Sequence, residues 1–122
     1  MYMIELMNNP IIDKSKKFAL KIVLLYKRLS EENREYVLSK QVLRSGTSIG
    51  ANARESQNAE SKADFIHKLS ISLKEADETL YWLELLHDAE YISNGEFDSL
   101  FADCKELVRI LTAILKSSRD KQ

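Results

Sequence analysis

A chain of 122 residues with 44% hydrophobic and 30% charged side chains has the balance of one folded domain, which excludes an intrinsically disordered protein. One proline and three glycines are too few for the turns of a β-sheet domain, so the composition favours helices. The net charge of −1 provides no overall attraction to nucleic acid or to anionic membranes. The charge is uneven, because residues 1–62 hold 11 basic and 7 acidic residues (+4), whereas residues 63–122 hold 7 and 12 (−5).

The cysteine count and the first residues bear on where the protein acts. A single cysteine cannot form an internal disulfide and suits a reducing compartment. The opening residues, MYMIELMNNPIIDKSKK, lack the basic region and the long apolar run of a secretory signal. No uncharged apolar run approaches the ~20 residues that a membrane span needs. We therefore expect a cytoplasmic protein with no membrane partner.

Apolar residues recur every three or four positions in four segments, which is the spacing of amphipathic helices. We predict helices at about residues 13–29, 38–58, 62–89 and 94–117. The links between them are short, so neighbouring helices should run antiparallel. The sequence therefore predicts an all-α fold, an antiparallel up-down-up-down four-helix bundle that forms a single domain over residues 1–122. The predicted buried stripe of the third helix comprises Ile66, Leu69, Leu73, Ala76, Leu80, Leu83 and His87.

Two serines open predicted helices with a capping-box pattern, in which a serine and an acidic residue three positions later satisfy each other's backbone N–H groups. The motifs are SKAD, which begins at Ser61, and SNGE, which begins at Ser93. We expect both serines to be N-caps.

The stretch VLRSGTSIGANARES, residues 42–56, places small residues where a buried helix face usually has large ones. It is not a phosphate-binding loop, because it lacks the lysine and the glycine spacing of that motif. It is not a membrane contact motif, because Arg44, Asn52 and Arg54 interrupt it. Each glycine costs a helix about 1 kcal/mol relative to alanine, so close packing is the expected compensation. We expect this face to approach the bulky stripes of the third and fourth helices.

Residues that could support catalysis or bind a metal do not cluster in the sequence. The patterns DFIH and ELLH resemble the carboxylate–histidine pairs of di-iron bundles, but both lie on the third helix. Their histidines, His67 and His87, are about 30 Å apart along that helix and cannot share a metal. Cys104 falls within the apolar stripe of the fourth helix, which is typical of a buried core thiol. We therefore predict no catalytic residue, no metal site and no cofactor.

Basic residues form two stripes that could follow a phosphate backbone. The alternative is a solvated charged face, which is common on helices of this composition. Leu20 and Leu24 lie beside the first stripe, and apolar side chains there argue against contact with nucleic acid. Because the +4 half is offset by the −5 half, we expect any such binding to be weak. The candidate nucleic-acid contacts are Lys14, Lys17, Lys21 and Arg28 on the first helix, and Lys105, Arg109 and Lys116 on the fourth.

Residues 43–86, LRSGTSIGANARESQNAESKADFIHKLSISLKEADETLYWLELL, resemble the signature region of the bacterial four-helix-bundle family named after the protein encoded in the 23S rRNA intervening sequence. The resemblance implies a ring-like homopentamer with no known enzymatic activity. A relative of this fold, the accessory protein of diversity-generating retroelements, binds reverse transcriptase and nucleic acid through a strongly basic surface, whereas this chain has a net charge of −1. The motif positions with expected structural or interface roles are Gly46, Ser48, Ile49, Gly50, Asn52, Glu55, Phe65, Glu75 and Glu78.

The third predicted helix has a second apolar face, opposite its main stripe, whose three residues lie within about 60° of one another at 100° per residue. Four helices of one chain leave nothing to cover this face. The first helix also carries apolar residues off its main stripe. We therefore predict that the third helix of one copy meets the first helix of the next, with Trp82 as the anchor. The predicted interface residues are Leu20, Val23 and Leu24 on the first helix, and Ile71, Trp82 and Leu85 on the third.

Two functional classes follow from these observations. The first is a non-enzymatic oligomeric scaffold or interaction module that binds another protein. The second is an RNA- or DNA-associated accessory factor that uses the two basic stripes. A steep fall of nucleic-acid affinity with salt would favour the second class, because it reports contacts to several phosphates.

Overall fold

The computed structural model describes residues 9–120, which form four helices in chain order. They are α1 (Ile11–Glu31), α2 (Leu38–Ser56), α3 (Lys62–Asp88) and α4 (Asn94–Asp120). Helix α1 packs mainly on α2 and α4, and α3 packs mainly on the same two helices, so α1 and α3 occupy diagonal corners. The structure confirms the predicted all-α antiparallel four-helix bundle, and no strand occurs in the described residues.

Polar side chains cap the starts of the first two helices. Helix α1 begins at Ile11, two residues earlier than the sequence indicates, and the Asn9 side chain accepts a hydrogen bond from the Ile11 backbone N–H at 2.9 Å. Before α2, the Glu35 carboxylate accepts hydrogen bonds from the backbone N–H groups of three consecutive residues at 2.7–3.2 Å. This carboxylate satisfies N–H groups that have no partner within the helix and places negative charge at its positive end.

Both predicted serine N-caps are present. The Ser61 hydroxyl accepts a hydrogen bond from the Asp64 N–H at 3.0 Å, and the Ser93 hydroxyl accepts one from the Glu96 N–H at 3.1 Å. The acidic residue of the second motif does not fold back on its serine. The Glu96 carboxylate instead accepts a hydrogen bond from Arg28 of α1 at 2.7 Å, which ties the start of α4 to the end of α1.

The buried stripe of α3 differs from the predicted one. Ile66, Leu73 and His87 are only half-buried, although the two apolar residues still pack against the edge of the core. The stripe shifts because α3 faces α2 as well as α4, and the side toward α2 uses hydroxyl-bearing residues that an apolar periodicity does not register. The buried residues of α3 are Phe65, Leu69, Ser72, Ala76, Thr79, Leu80, Leu83 and Leu86.

The two glycines of α2 pack against α1, whereas the sequence predicts that the small-residue face approaches α3 and α4. A β-carbon added at Gly46 would lie 2.9 Å from both γ-carbons of Ile22, and one added at Gly50 would lie 3.1 Å from the Ser15 hydroxyl oxygen. Only glycine at position 46 allows this approach without displacing the branched Ile22 side chain. The distances between helices determine which neighbour the glycines meet, and the periodicity of the sequence carries no information on those distances.

Helix α2 reaches α3 through hydrogen bonds between small side chains. The Ser72 hydroxyl donates to the Ile49 carbonyl at 2.7 Å, and the Thr79 hydroxyl lies 2.9 Å from the Ser45 hydroxyl. All these groups are buried, so the Ser72 and Ser45 hydroxyls would be costly without these partners, whereas the Thr79 hydroxyl also lies 2.7 Å from the Glu75 carbonyl. The small-residue stretch therefore fits α2 closely between two neighbours.

Candidate subunit interface

The outward face of α1 carries two exposed leucines. Leu20 is 61% exposed and Leu24 is 57% exposed, while Val23 beside them is half-buried. Ile22 and Leu25 supply the core from the other side of the helix, so the two leucines add nothing to the bundle interior. Large apolar side chains that adjoin on a surface are a feature of protein interfaces.

The outward face of α3 holds its three predicted interface residues in half-buried positions. Trp82 rests partly against the core, and its indole Nε1 donates a hydrogen bond to Glu78 at 2.8 Å. Ile71 and Leu85 lie on the same side of the helix. The Tyr81 ring meets the Trp82 ring edge-on, with centroids 5.1 Å apart, and is 54% exposed. Tyr81 is a surface aromatic that the sequence analysis missed, although its four-residue spacing from Leu85 could have indicated it.

Arg44 of α2 links the two acidic motif positions of α3. Its guanidinium binds Glu75 at 3.2 Å and Glu78 through a short contact. The hydrogen bond from Trp82 lowers the pKa of Glu78 below its usual value, and Arg44 adds to this effect, while partial burial opposes it. Glu78 therefore accepts from both partners as a carboxylate, and this network fixes the indole of Trp82 beside the α2–α3 seam.

The other motif positions divide into core and surface roles. Ile49 and Phe65 are fully buried, in addition to the close-packed glycines. Ser48 and Asn52 donate to backbone carbonyls one turn earlier in α2, at 2.6 and 2.9 Å. Glu55 is exposed and lines an open groove of about 610 Å³ between α1 and α2, which several small residues also line. Most of the signature therefore serves the packing of α2.

The basic stripe of α1 is neutralised by acidic residues. Three of its members pair across the α1–α4 seam, where Lys14 meets Glu106 at 2.8 Å and Lys21 meets Asp103 at 2.7 Å. The third cross-seam pair, between Arg28 and Glu96, is described above. Lys17 pairs with an aspartate of its own helix at 3.0 Å. These four side chains are therefore committed to ion pairs, and their predicted contact with nucleic acid gains no support from the geometry.

The basic stripe of α4 has a different environment. Lys105, Arg109 and Lys116 are all exposed, and none of them forms an ion pair with a residue in the described part of the chain. They lie within about 40° of one another at 100° per residue. The α4 stripe therefore presents three unpaired basic side chains on one face of the helix.

Reactive side chains lie apart from one another. Cys104 is fully buried, its thiol donates to the Ala76 carbonyl at 3.4 Å, and burial raises its pKa to about 12. His87 stacks on Phe97 at a centroid distance of 4.4 Å, and its Nε2 lies 2.6 Å from Asn94 Oδ1. Within residues 9–120, no three His, Cys, Asp or Glu side chains are placed to hold a metal ion together. No helix of that part of the chain has the length and hydropathy to cross a membrane.

Comparison with known proteins gives a family and a fold. A sequence profile of the 23S rRNA-intervening sequence protein family matches residues 7–113. A crystal structure of a protein of unknown function from the S23 ribosomal protein family of Bacteroides thetaiotaomicron is 56% identical in sequence. It superposes with a TM-score of 0.86, and the match covers 87% of this chain and 98% of that one. No curated protein sequence matches the chain.

Proposed function

Because the chain belongs to the 23S rRNA-intervening sequence protein family, we propose that it is a non-enzymatic helical bundle that assembles with copies of itself and presents the assembled surface to another protein. The observation that supports this most strongly is the exposure of Leu20 and Leu24 on a helix whose other side already completes the core. The opposed face of α3, with Ile71, Trp82 and Leu85, supplies the second surface of the contact. The resemblance to the family suggests five subunits, and we place the assembly in the cytoplasm.

A scaffold role also suits the chemistry of the described residues. The Cys104 thiol is buried with a raised pKa, so it is a poor nucleophile at neutral pH. Arg44 and its two glutamates form ion pairs with one another at a helix seam. We infer that these charges serve packing and assembly and take no part in a reaction.

The oligomeric state of the wild type and of the double variant Leu20→Glu plus Leu24→Glu tests this proposal. Sedimentation velocity should show an oligomer for the wild type, and association of the double variant should weaken at least about tenfold because two buried interface positions become charged. Val37→Glu is the matched control, since Val37 is 70% exposed but lies in the α1–α2 connection. It should assemble like the wild type. A monomeric wild type would overturn the proposal.

A nucleic-acid accessory role is the alternative, and the unpaired basic stripe of α4 is the observation that favours it. Three charges can contact only a few phosphates, so we expect RNA affinity no tighter than the ~10⁻⁴–10⁻⁶ M of non-specific binding at physiological salt. Fluorescence anisotropy with a labelled single-stranded RNA measures this affinity. Submicromolar binding that Lys105→Glu plus Arg109→Glu abolishes would establish the alternative function.

A further inference from the structure

Two outward strips of the bundle share one spacing and carry opposite charges. In each strip, two apolar side chains four residues apart lie between two like charges that are 11 residues apart, or about 16 Å along a helix. The members of each strip fall within about 80° of one another at 100° per residue. The α1 strip consists of Lys16, Leu20, Leu24 and Lys27, and the α3 strip consists of Asp77, Tyr81, Leu85 and Asp88.

The flanking charges of both strips are available to a partner. Lys16, Lys27 and Asp77 are exposed and form no ion pair with any residue from 9 to 120. The Asp88 side chain is 77% exposed and pairs with no lysine or arginine within that range, and the nearest ring nitrogen of His87 lies 3.7 Å from its carboxylate. The basic residues of α1 that face α4 are all paired, so the free positive charge of the helix is concentrated beside the exposed leucines.

The position of the strips in the bundle determines the kind of assembly they can form. Helices α1 and α3 lie at diagonal corners, so the two outward strips face away from each other and one copy can use both at once. A contact between unlike surfaces is heterologous, and repetition of it produces a ring when the rotation closes. Two copies joined through the same strip would instead form a two-fold dimer.

We propose that the α1 strip of one copy docks on the α3 strip of a second copy, and that the four flanking charges select this contact over pairing of like strips. The inference rests on the proposed self-assembly and adds what selects the pairing of unlike strips. The leucines and Tyr81 supply the apolar centre, while each lysine faces an aspartate at the rim. Pairing two α1 strips or two α3 strips would place four like charges together, which electrostatic complementarity disfavours.

Charge exchange between the strips tests the proposal in the full chain. Lys16→Glu plus Lys27→Glu, or Asp77→Lys plus Asp88→Lys, gives a chain with two strips of the same sign. Each double variant should associate at least about tenfold more weakly than the wild type at low salt. The quadruple variant restores opposite signs and should recover association to within about threefold of the wild type. An equimolar mixture of the two double variants should associate more tightly than either variant alone, because contacts between unlike chains regain opposite signs.

The matched control is Lys105→Glu plus Lys116→Glu, because these exposed lysines have the same 11-residue spacing on α4. It should associate like the wild type. Sedimentation velocity gives the association, and far-UV circular dichroism shows that each variant is folded. The strip pairing would be overturned by double variants that are folded and assemble normally, or by a quadruple variant that associates no more tightly than the double variants. In either case an oligomeric wild type would still support the proposed function. A monomeric wild type would overturn both.

Discussion

The two seams on either side of α1 are built from different interactions. Toward α2, the backbones approach closely over Gly46 and Gly50, and apolar and small side chains fill the space. Toward α4, the helices lie farther apart and are joined at the surface by a ladder of three ion pairs. Close packing of buried side chains makes a large contribution to stability, whereas exposed ion pairs contribute about 0–1 kcal/mol each. The comparison indicates that the α1–α2 seam stabilises the bundle and that the α1–α4 ladder mainly sets its register.

The largest effect on this comparison is expected from Gly46→Ala. The added β-carbon would meet Ile22 at 2.9 Å, and overpacking of this kind costs about 1–3 kcal/mol, offset by the ~1 kcal/mol that alanine gains in a helix. We expect a net loss of up to about 2 kcal/mol in urea unfolding. Gly95→Ala is the matched control, because nothing lies within 4 Å of its added β-carbon, and it should be neutral or stabilising. Equal effects of the two substitutions would show that the close seam does not require glycine at position 46.

Thr79→Val examines the second close seam, between α2 and α3. The substitution keeps the shape of the side chain but removes the hydroxyl that lies 2.9 Å from the buried Ser45 hydroxyl. Leaving that partner unsatisfied should cost about 1 kcal/mol or slightly more. The double variant Thr79→Val plus Ser45→Ala should lose less than the sum of the single changes. Strict additivity in urea unfolding would contradict a direct interaction between the two hydroxyls.

Local signals in the sequence predicted local structure well, and interhelix geometry decided the rest. The caps at Ser61 and Ser93 were predictable because all of their atoms lie within four residues. The redirection of Glu96 to Arg28 was not, because it depends on how α4 is rotated against α1. Thr79 was missed as a core residue because its hydroxyl is buried only when α2 supplies a small partner. The apolar surface of α1 was visible as leucines outside its main stripe.

The ion-pair ladder should show a smaller effect than either close seam. Lys21→Ala removes the ion pair with Asp103. The Lys21 side chain is 53% exposed and that of Asp103 is 37% exposed, so we expect the free energy of unfolding to fall by less than about 1 kcal/mol. The loss should shrink further at 1 M salt, where the Debye length falls to about 3 Å. Thermal unfolding of the variant and the wild type at two salt concentrations measures both quantities. A loss near 2 kcal/mol that salt does not reduce would mean that the ladder carries packing energy.

The smallest expected effect concerns the pH dependence of Glu78. Because its pKa is lowered in the folded protein, its carboxylate stabilises the fold at and above the ordinary value of 4.5, and this contribution is lost as pH falls through the lowered pKa. Glu78→Gln should therefore be slightly less stable than the wild type at pH 7, and the difference should narrow below pH 4.5. Paired denaturant titrations of both proteins at several pH values follow this difference. A difference that grows on acidification would contradict the assigned direction.

Self-assembly through the outward faces of α1 and α3 is the central claim, and the double variant Trp82→Ala plus Leu85→Asp tests it most directly. Truncation of an aromatic interface residue often costs 2 kcal/mol or more, and the aspartate adds a charge to an apolar contact. Multi-angle light scattering over a dilution series should show an oligomeric wild type and a folded double variant that dissociates at concentrations at least ~30-fold higher, which corresponds to about 2 kcal/mol. A monomeric wild type, or a folded variant that remains fully assembled at every concentration, would contradict the claim.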